Sequence, residues 1–209
     1  MLSVSRKNFW SGLDFTVQGG AGIITSCSAN SGEVYVDDFV TVGGVDYPVT
    51  TIGAYALHGS HQVTDVRLPD SIELIDDGAF AHCGSLKNVD IPATLIPLVI
   101  KDMAFAYCYS LTNITFNGNV ASIGDLAFLR CSNLKEIWFL GDLPTSIGTA
   151  AFHGTHDDLR IYYSSSAGNA GVFEGLFNNP DIFWSDPDVS EDTRATNPSA
   201  VLVDMDTLP

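Results

Sequence analysis

An alanine followed by a large apolar residue returns five times along this chain, at Ala56-Leu57, Ala79-Phe80, Ala104-Phe105, Ala127-Phe128 and Ala151-Phe152. The steps are 23, 25, 23 and 24 residues. Three further columns keep the same register. An isoleucine stands four residues before each alanine (Ile52, Ile75, Ile100, Ile123, Ile147), and a small residue follows three after the apolar position (Ser60, Cys83, Cys108, Cys131, Thr155). An aliphatic residue then opens the next unit at Val63, Leu86, Leu111 and Leu134, and one residue late at Leu159. A unit of about two dozen residues cannot bury its own apolar side chains, whereas stacked copies share one interior. The chain is therefore expected to wind as a solenoid.

Each unit reads as a short strand, a turn, a second extended stretch and about one helical turn. The strand pattern is Leu-x-x-Val-x-Ile, as in Leu86-Lys-Asn-Val89-Asp-Ile91, the alternation of a half-buried strand. Pro69 and Pro92 end two of these strands, because proline has no N–H for the ladder. Asp77, Asp102 and Asp125 precede the alanine by two residues, where a carboxylate can cap the N-terminus of the expected helical turn. The last copy has Thr149 there.

The apolar ends of such a stack must be covered. Residues 1–51 are expected to form an N-terminal β cap and a first degenerate repeat strand, with strands at Phe15–Val17, Ile23–Thr25 and Val34–Val36 between glycine- and asparagine-containing turns. Residues 52–163 are the repeats. Residues 164–184 form a C-terminal cap, in which the aromatic stretch from Val172 to Trp184 covers the final rung. Residues 185–209 read as an acidic tail, with one apolar patch at Ala200–Val203 that is expected to dock as an added strand on a sheet edge.

The unit Leu86-Lys-Asn-Val89-Asp-Ile91-Pro92, followed by Ile100-x-x-x-Ala104-Phe105-x-x-Cys108, resembles the leucine-rich repeat of BspA-type surface proteins. The front segment, Phe15 through Val36 and Tyr47 through Gly53, is similar to the N-terminal stretch of such arrays. The resemblance covers roughly residues 13–163. It implies a leucine-rich-repeat solenoid of about five repeats of 23–25 residues, with short β-strands, short helical turns and a cap at each end. It also implies a non-enzymatic role in adhesion or protein binding, with no cofactor.

Charge narrows the partners. The chain carries 9 Lys and Arg against 25 Asp and Glu, a formal net charge of −16. Such a chain repels phosphate backbones and anionic membrane surfaces unless a basic patch intervenes, and its basic residues are scattered singly. Nucleic acid is excluded as a partner, and so is membrane insertion: the longest apolar stretch, Ile91 to Ile100, is broken by Pro92 and Pro97. The stretch from Met1 to Trp10 lacks the apolar run of a signal peptide. An extracellular surface or a virus particle is the expected setting.

Chemistry-bearing residues fall on repeat positions. Cys83, Cys108 and Cys131 share one column at spacings that do not fit a zinc site. Neighbouring rungs would bring their Cα atoms within disulfide range, but three in a row cannot all pair, so buried reduced thiols are expected. His58-Gly-Ser-His61 and His153-Gly-Thr-His156 occupy matching positions on the first and last rungs. A His-x-x-His pair could hold a metal, but no third ligand can be assigned, and solvated loop histidines are the plainer reading. The aspartate column could take calcium, but capping accounts for it without a metal. There is no Gly-x-Ser-x-Gly and no phosphate-cradling glycine loop.

What remains is the outside of the strands. Arg67, Asp90, Thr115, Trp138 and Tyr162 lie between the two inward residues of each strand, and Asp65, Asn88, Asn113 and Glu136 form the adjoining outward column. Trp138 is an interface anchor or a residue packed against the C-terminal segment. Arg67, Asp90, Thr115, Trp138, Val201, Leu202 and Val203 are thus the candidate partner-binding residues. Two functions fit: an interaction or adhesion module with a protein or glycan partner, or a structural subunit of a larger assembly. A homo-oligomer, a virus-particle decoration or fibre, or a surface layer would serve the second, its C-terminal tail docking on a neighbour.

Overall fold

A computed structural model describes residues 12–29, 32–94, 96–177 and 201–208. In chain order its strands are β1 (Leu13–Gln18), β2 (Ala21–Cys27), β3 (Glu33–Tyr35), β4 (Phe39–Val42), β5 (Val45–Ile52), β6 (Asp65–Arg67), β7 (Leu74–Ile75) and β8 (Asn88–Ile91). They continue as β9 (Leu98–Ile100), β10 (Asn113–Phe116), β11 (Val120–Ile123), β12 (Glu136–Phe139), β13 (Ser146–Ile147) and β14 (Arg160–Tyr163). Helix α1 (Ala170–Phe177) and β15 (Val201–Asp204) follow. The coil alternates between two sheets. One holds seven strands in the order β15-β14-β12-β10-β8-β6-β3; the other runs β1-β2-β5-β7-β9-β11-β13, with β4 paired to β5 as its eighth strand.

The Leu-x-x-Val-x-Ile segments make the seven-stranded sheet. Its neighbours are parallel and in register, so Val34, Val66, Val89, Ile114, Ile137 and Ile161 form one buried file. The isoleucine that precedes each alanine ends a strand of the other sheet: Ile52, Ile75, Ile100, Ile123 and Ile147 stack in parallel register and are buried. Both files face one hydrophobic core that runs the length of the coil.

On the third side the expected helical turn does not form, and the reason lies in the backbone. The N–H groups of Ala79, Ala81 and Cys83 close tight turns onto Asp76, Gly78 and Phe80, at 3.1, 2.9 and 3.1 Å. The alternate N–H groups, of Gly78, Phe80 and His82, point the other way and donate to Asp102, Ala104 and Ala106 of the next rung, at 2.9, 2.8 and 2.8 Å. A helix would align all these N–H groups along its own axis, whereas here every second one points sideways to the next rung. Reversing every second peptide needs left-handed residues. Met103 (φ 54°), Tyr107 (62°), Leu126 (54°) and Arg130 (54°) accept that conformation, although it costs an L-residue roughly 1–2 kcal/mol. The turn side is therefore a third hydrogen-bonded ladder.

Without a helix the aspartates have no helix N-terminus to cap. Asp102 Oδ1 accepts the N–H of Asp125 at 2.8 Å, and Asp125 Oδ1 that of Thr149 at 2.7 Å. These two aspartates thus link rung to rung, which corrects the capping expectation for them. Gly124 and Gly148 follow from the same closeness: a Cβ at either would collide with the backbone of the preceding rung at Asp102 or Asp125.

The apolar residue after each alanine fills the interior. Phe80, Phe105, Phe128 and Phe152 stack with ring centroids 5.1, 5.3 and 5.5 Å apart and planes within 11°. Phe116 and Phe139 form a second stack at 5.0 Å, closed edge-on by Phe173 of α1 at 5.5 Å. That helix explains why the solenoid has about six turns rather than the five counted from Ala-Phe pairs. After β14 the chain lacks another Ile-x-x-x-Ala-Phe segment, and α1 covers the core in its place.

At the front, β1 and β2 form an antiparallel hairpin that joins the eight-stranded sheet through β5. At the back, β15 adds to β14 in parallel. The end of the expected acidic tail thus pairs with β14, the last repeat strand of the same chain. Phe183, Trp184 and Ala200 lie outside the described residues.

Candidate interaction surface

Successive side chains of a strand point to opposite faces, so the buried Val/Ile file dictates what the outside of the seven-stranded sheet presents. Cα register aligns Tyr35, Arg67 and Asp90 across β3, β6 and β8, then Asp90 with Thr115, Thr115 with Trp138, Trp138 with Tyr162, and Tyr162 with Val203. A second outward column runs through Glu33, Asp65, Asn88, Asn113, Glu136, Arg160 and Val201. Six of the seven candidate residues therefore share one face. Leu202 does not: it is partly buried and packs against the core.

The face changes character along its length. At the front, Arg67 pairs with Asp90 at 3.5 Å, both largely exposed. Asn88 Nδ2 and Thr64 Oγ1 each donate to Asp65, at 2.6 Å. The Asn88 bond, followed by that of Thr64, holds the Asp65 carboxyl below its ordinary range. Tyr35 Oη donates to Glu33 at 3.0 Å, and that bond pushes the phenol up. These groups surround a shallow concavity of about 240 Å³ lined by Glu33, Tyr35, Asp65, Arg67, Asn88 and Asp90. Three carboxylates around one guanidinium make it acidic.

The back of the face is aromatic. The Trp138 indole stacks on Tyr162 with centroids 3.7 Å apart and planes 6° apart, and its Nε1 donates to Glu136 at 3.1 Å. Trp138 is half-buried, Tyr162 buried. Val203 continues this column from β15. The indole is therefore half-buried and part of a short apolar stripe.

β15 is held at both ends. The N–H of Val201 donates to the Leu159 carbonyl at 2.9 Å. Beyond the strand, Asp206 Oδ2 accepts from Ser164 Oγ (2.7 Å), Ser165 Oγ (3.2 Å) and the N–H of Ser166 (2.9 Å). Asp204 Oδ1 accepts the N–H of Ser165 at 3.0 Å. The Ser164 bond leads the causes that lower the Asp206 carboxyl. Sequence reading missed this clasp, and it missed Glu33 and Tyr35 as members of the face. The only signals available were a Ser-Ser-Ser run after the last repeat strand and an Asp-x-Asp after an apolar triplet.

The remaining candidates are absorbed by the fold. The Cys83, Cys108 and Cys131 thiols are buried and unpaired, and they donate to the Leu57, Phe80 and Phe105 carbonyls of the preceding rung at 3.0, 3.2 and 3.0 Å. Each satisfies a carbonyl that already accepts one backbone N–H. Burial pushes Cys83 up to about 12, and the side-chain interaction with the neighbouring Cys131 thiol, then burial, pushes Cys108 well above its ordinary value. His58 packs edge-on against Tyr55 and His82, and His82 stacks on Tyr107 at 4.4 Å. Nδ1 of His156 accepts the Asp158 N–H at 3.0 Å. Among the described residues no three His, Cys, Asp or Glu side chains are grouped to hold a metal ion, and no helix is long and apolar enough to cross a membrane.

Known proteins can be set beside this geometry. No curated protein matches the sequence. Among solved structures, a leucine-rich repeat protein of T. pallidum is similar with a TM-score of 0.63 and 24% identity, covering 76% of this chain and 72% of that one. A leucine-rich cell surface protein of Faecalibacterium prausnitzii gives 0.53 and 23%, covering 77% and 55%. The pneumococcal vaccine antigen PcpA gives 0.57 and 18%, covering 81% and 47%. The chain thus spans about half the length of the last two, and at these identities the likeness shows the fold alone. The BspA-type leucine-rich repeat region matches residues 46–172 in six copies. That span is well over half of the sequence and coincides with the stacked coils, so the chain belongs to the BspA-type leucine-rich-repeat family.

Proposed function

We propose that the chain is a non-enzymatic interaction module whose partner meets the outer face of the seven-stranded sheet. The reading rests on one observation: strand register gathers Arg67, Asp90, Thr115, Trp138 and Val203 into a single column, beside a second column from Glu33 to Val201. A face with an acidic concavity at one end and an apolar aromatic stripe at the other favours a protein partner that brings basic side chains to the first and an apolar contact to the second. A net charge of −16 adds steering toward such a partner. Adhesion at an extracellular surface is the role this serves.

The test is affinity capture from the native source with the wild-type chain and two folded variants. Asp90→Lys with Asp65→Lys reverses the charge of the concavity; Lys101→Glu with Asp102→Asn alters the turn side. Loss of the same captured protein by the first variant alone supports the reading. Equal capture by wild type and the first variant contradicts it, and capture of a glycan-bearing species that survives removal of its protein part replaces protein by glycan as the partner.

A further inference from the structure

β15 differs from every other strand of its sheet in how it arrives. The strands before it are delivered by the coil itself, but residues 178–200 separate β15 from α1. At ~3.3–3.6 Å per residue such a stretch reaches at most roughly 80 Å, which is enough to reach another molecule. Among the described residues, the hydrogen bonds that seat the segment all run to residues 159–166: the Leu159 carbonyl, the β14 ladder and the Ser164–Ser166 turn. The seat also reads side chains. Leu202 packs on the core, Val203 extends the Trp138–Tyr162 stripe, and Asp204 and Asp206 meet the serine turn.

A strand added to a sheet edge draws affinity from main-chain bonds and specificity from alternate side chains. None of these contacts depends on the segment belonging to the same chain. We propose that the β14 edge and the Ser164–Ser166 turn form an acceptor site for an extended segment of the form apolar-apolar-apolar-Asp-x-Asp, and that closely packed copies of this chain link by exchanging residues 201–206. An isolated chain fills its own site, because covalent linkage of donor and acceptor in one chain makes docking intramolecular, with an effective concentration on the order of 1 mM. Docking in cis then requires a dissociation constant below that value, and exchange becomes competitive only where copies are crowded to a similar density.

Two full-length variants separate donor from acceptor. Leu202→Asp spoils the donor segment and leaves the acceptor empty. Ser166→Pro removes the N–H that meets Asp206 and weakens the acceptor turn, so that its intact donor favours an unaltered site on another chain. With folding checked by circular dichroism and thermal melting, each variant alone is expected to sediment as a monomer, and the mixture as a 1:1 complex with Kd below ~1 mM. A labelled peptide of residues 200–208 should bind the Leu202→Asp chain at least about tenfold more tightly than wild type, whose site is already filled. That peptide decides the acceptor claim even if Ser166→Pro fails to fold. No saturable binding to folded Leu202→Asp protein overturns the acceptor site, as does equal binding to wild type. Peptide binding without wild-type self-association at millimolar density overturns the exchange.

Discussion

Phe105→Ala probes the stacked interior at its most enclosed point. The ring is fully buried and lies between Phe80 at 5.1 Å and Phe128 at 5.3 Å, nearly parallel to both. Truncation removes the transfer free energy of the ring and leaves a cavity in a region where three hydrogen-bonded ladders resist collapse, a loss of about 3–5 kcal/mol. The two ring contacts add to area burial and place the value in the upper part of that range. For a chain of this size the same loss lowers Tm by very roughly 10 °C. Urea unfolding followed by circular dichroism gives the number directly. A double-mutant cycle with Phe128→Ala should return a coupling of about 1 kcal/mol, since the rings touch. A loss under about 1 kcal/mol for Phe105→Ala, or no coupling, would show that the rings do not share one axis.

The buried thiols should be silent toward a disulfide-exchange reagent in the native protein and react only on unfolding; fast native reaction at Cys83, Cys108 or Cys131 contradicts their carbonyl-bonded placement. The Cys83 thiol is raised in the fold from 9.0 to about 12, so its contribution to stability is complete below pH 9.0 and declines as pH rises toward 12; urea midpoints measured across that window should fall, and a flat profile would count against the burial. Gly59 has φ +68° and open space where a Cβ would go, so Gly59→Ala should cost about 1 kcal/mol from backbone strain alone, and a stabilising effect in the same unfolding assay would refute the left-handed turn. The Asp206 carboxyl is lowered from 3.8, so the clasp on Ser164–Ser166 should hold above that pH and loosen as pH falls below it. Exchange of the Val201 amide reports this, and release already between neutrality and pH 5, or no change in Asp206→Asn at neutral pH, contradicts the assignment.

The outward columns were legible because strand alternation leaves no freedom: once Val66, Val89, Ile114 and Ile137 are placed inside, Arg67, Asp90, Thr115 and Trp138 must lie outside. The same logic missed Tyr35, whose strand lacks the opening leucine of the later units. The turn side was misread for a physical reason. Left-handed backbone is normally announced by glycine, but here Met103, Tyr107, Leu126 and Arg130 adopt it, held by bonds to the next rung that no local propensity encodes. Asp102 and Asp125 look like caps in sequence because a cap and a rung-to-rung acceptor need the same side chain at the same position. The Ser164–Ser166 clasp was beyond reach, since its partners are separated by about forty residues and share no periodicity with the repeat. The Trp138–Tyr162 stack was half legible: the column was visible, but not that the two rings would meet face to face.

The claim that the sheet exterior is the working surface is tested most directly by comparing two sets of substitutions in one quantitative capture experiment. Arg67→Glu, Asp90→Lys and Thr115→Lys change only exposed or half-exposed side chains of that face, and Tyr55→Ser with His82→Ser changes the exposed aromatic groups of the turn side. Protein captured from the native source should disappear with the first set and persist with the second, at unchanged Tm in both. Persistence with the first set and loss with the second would move the working surface to the turns and contradict the account.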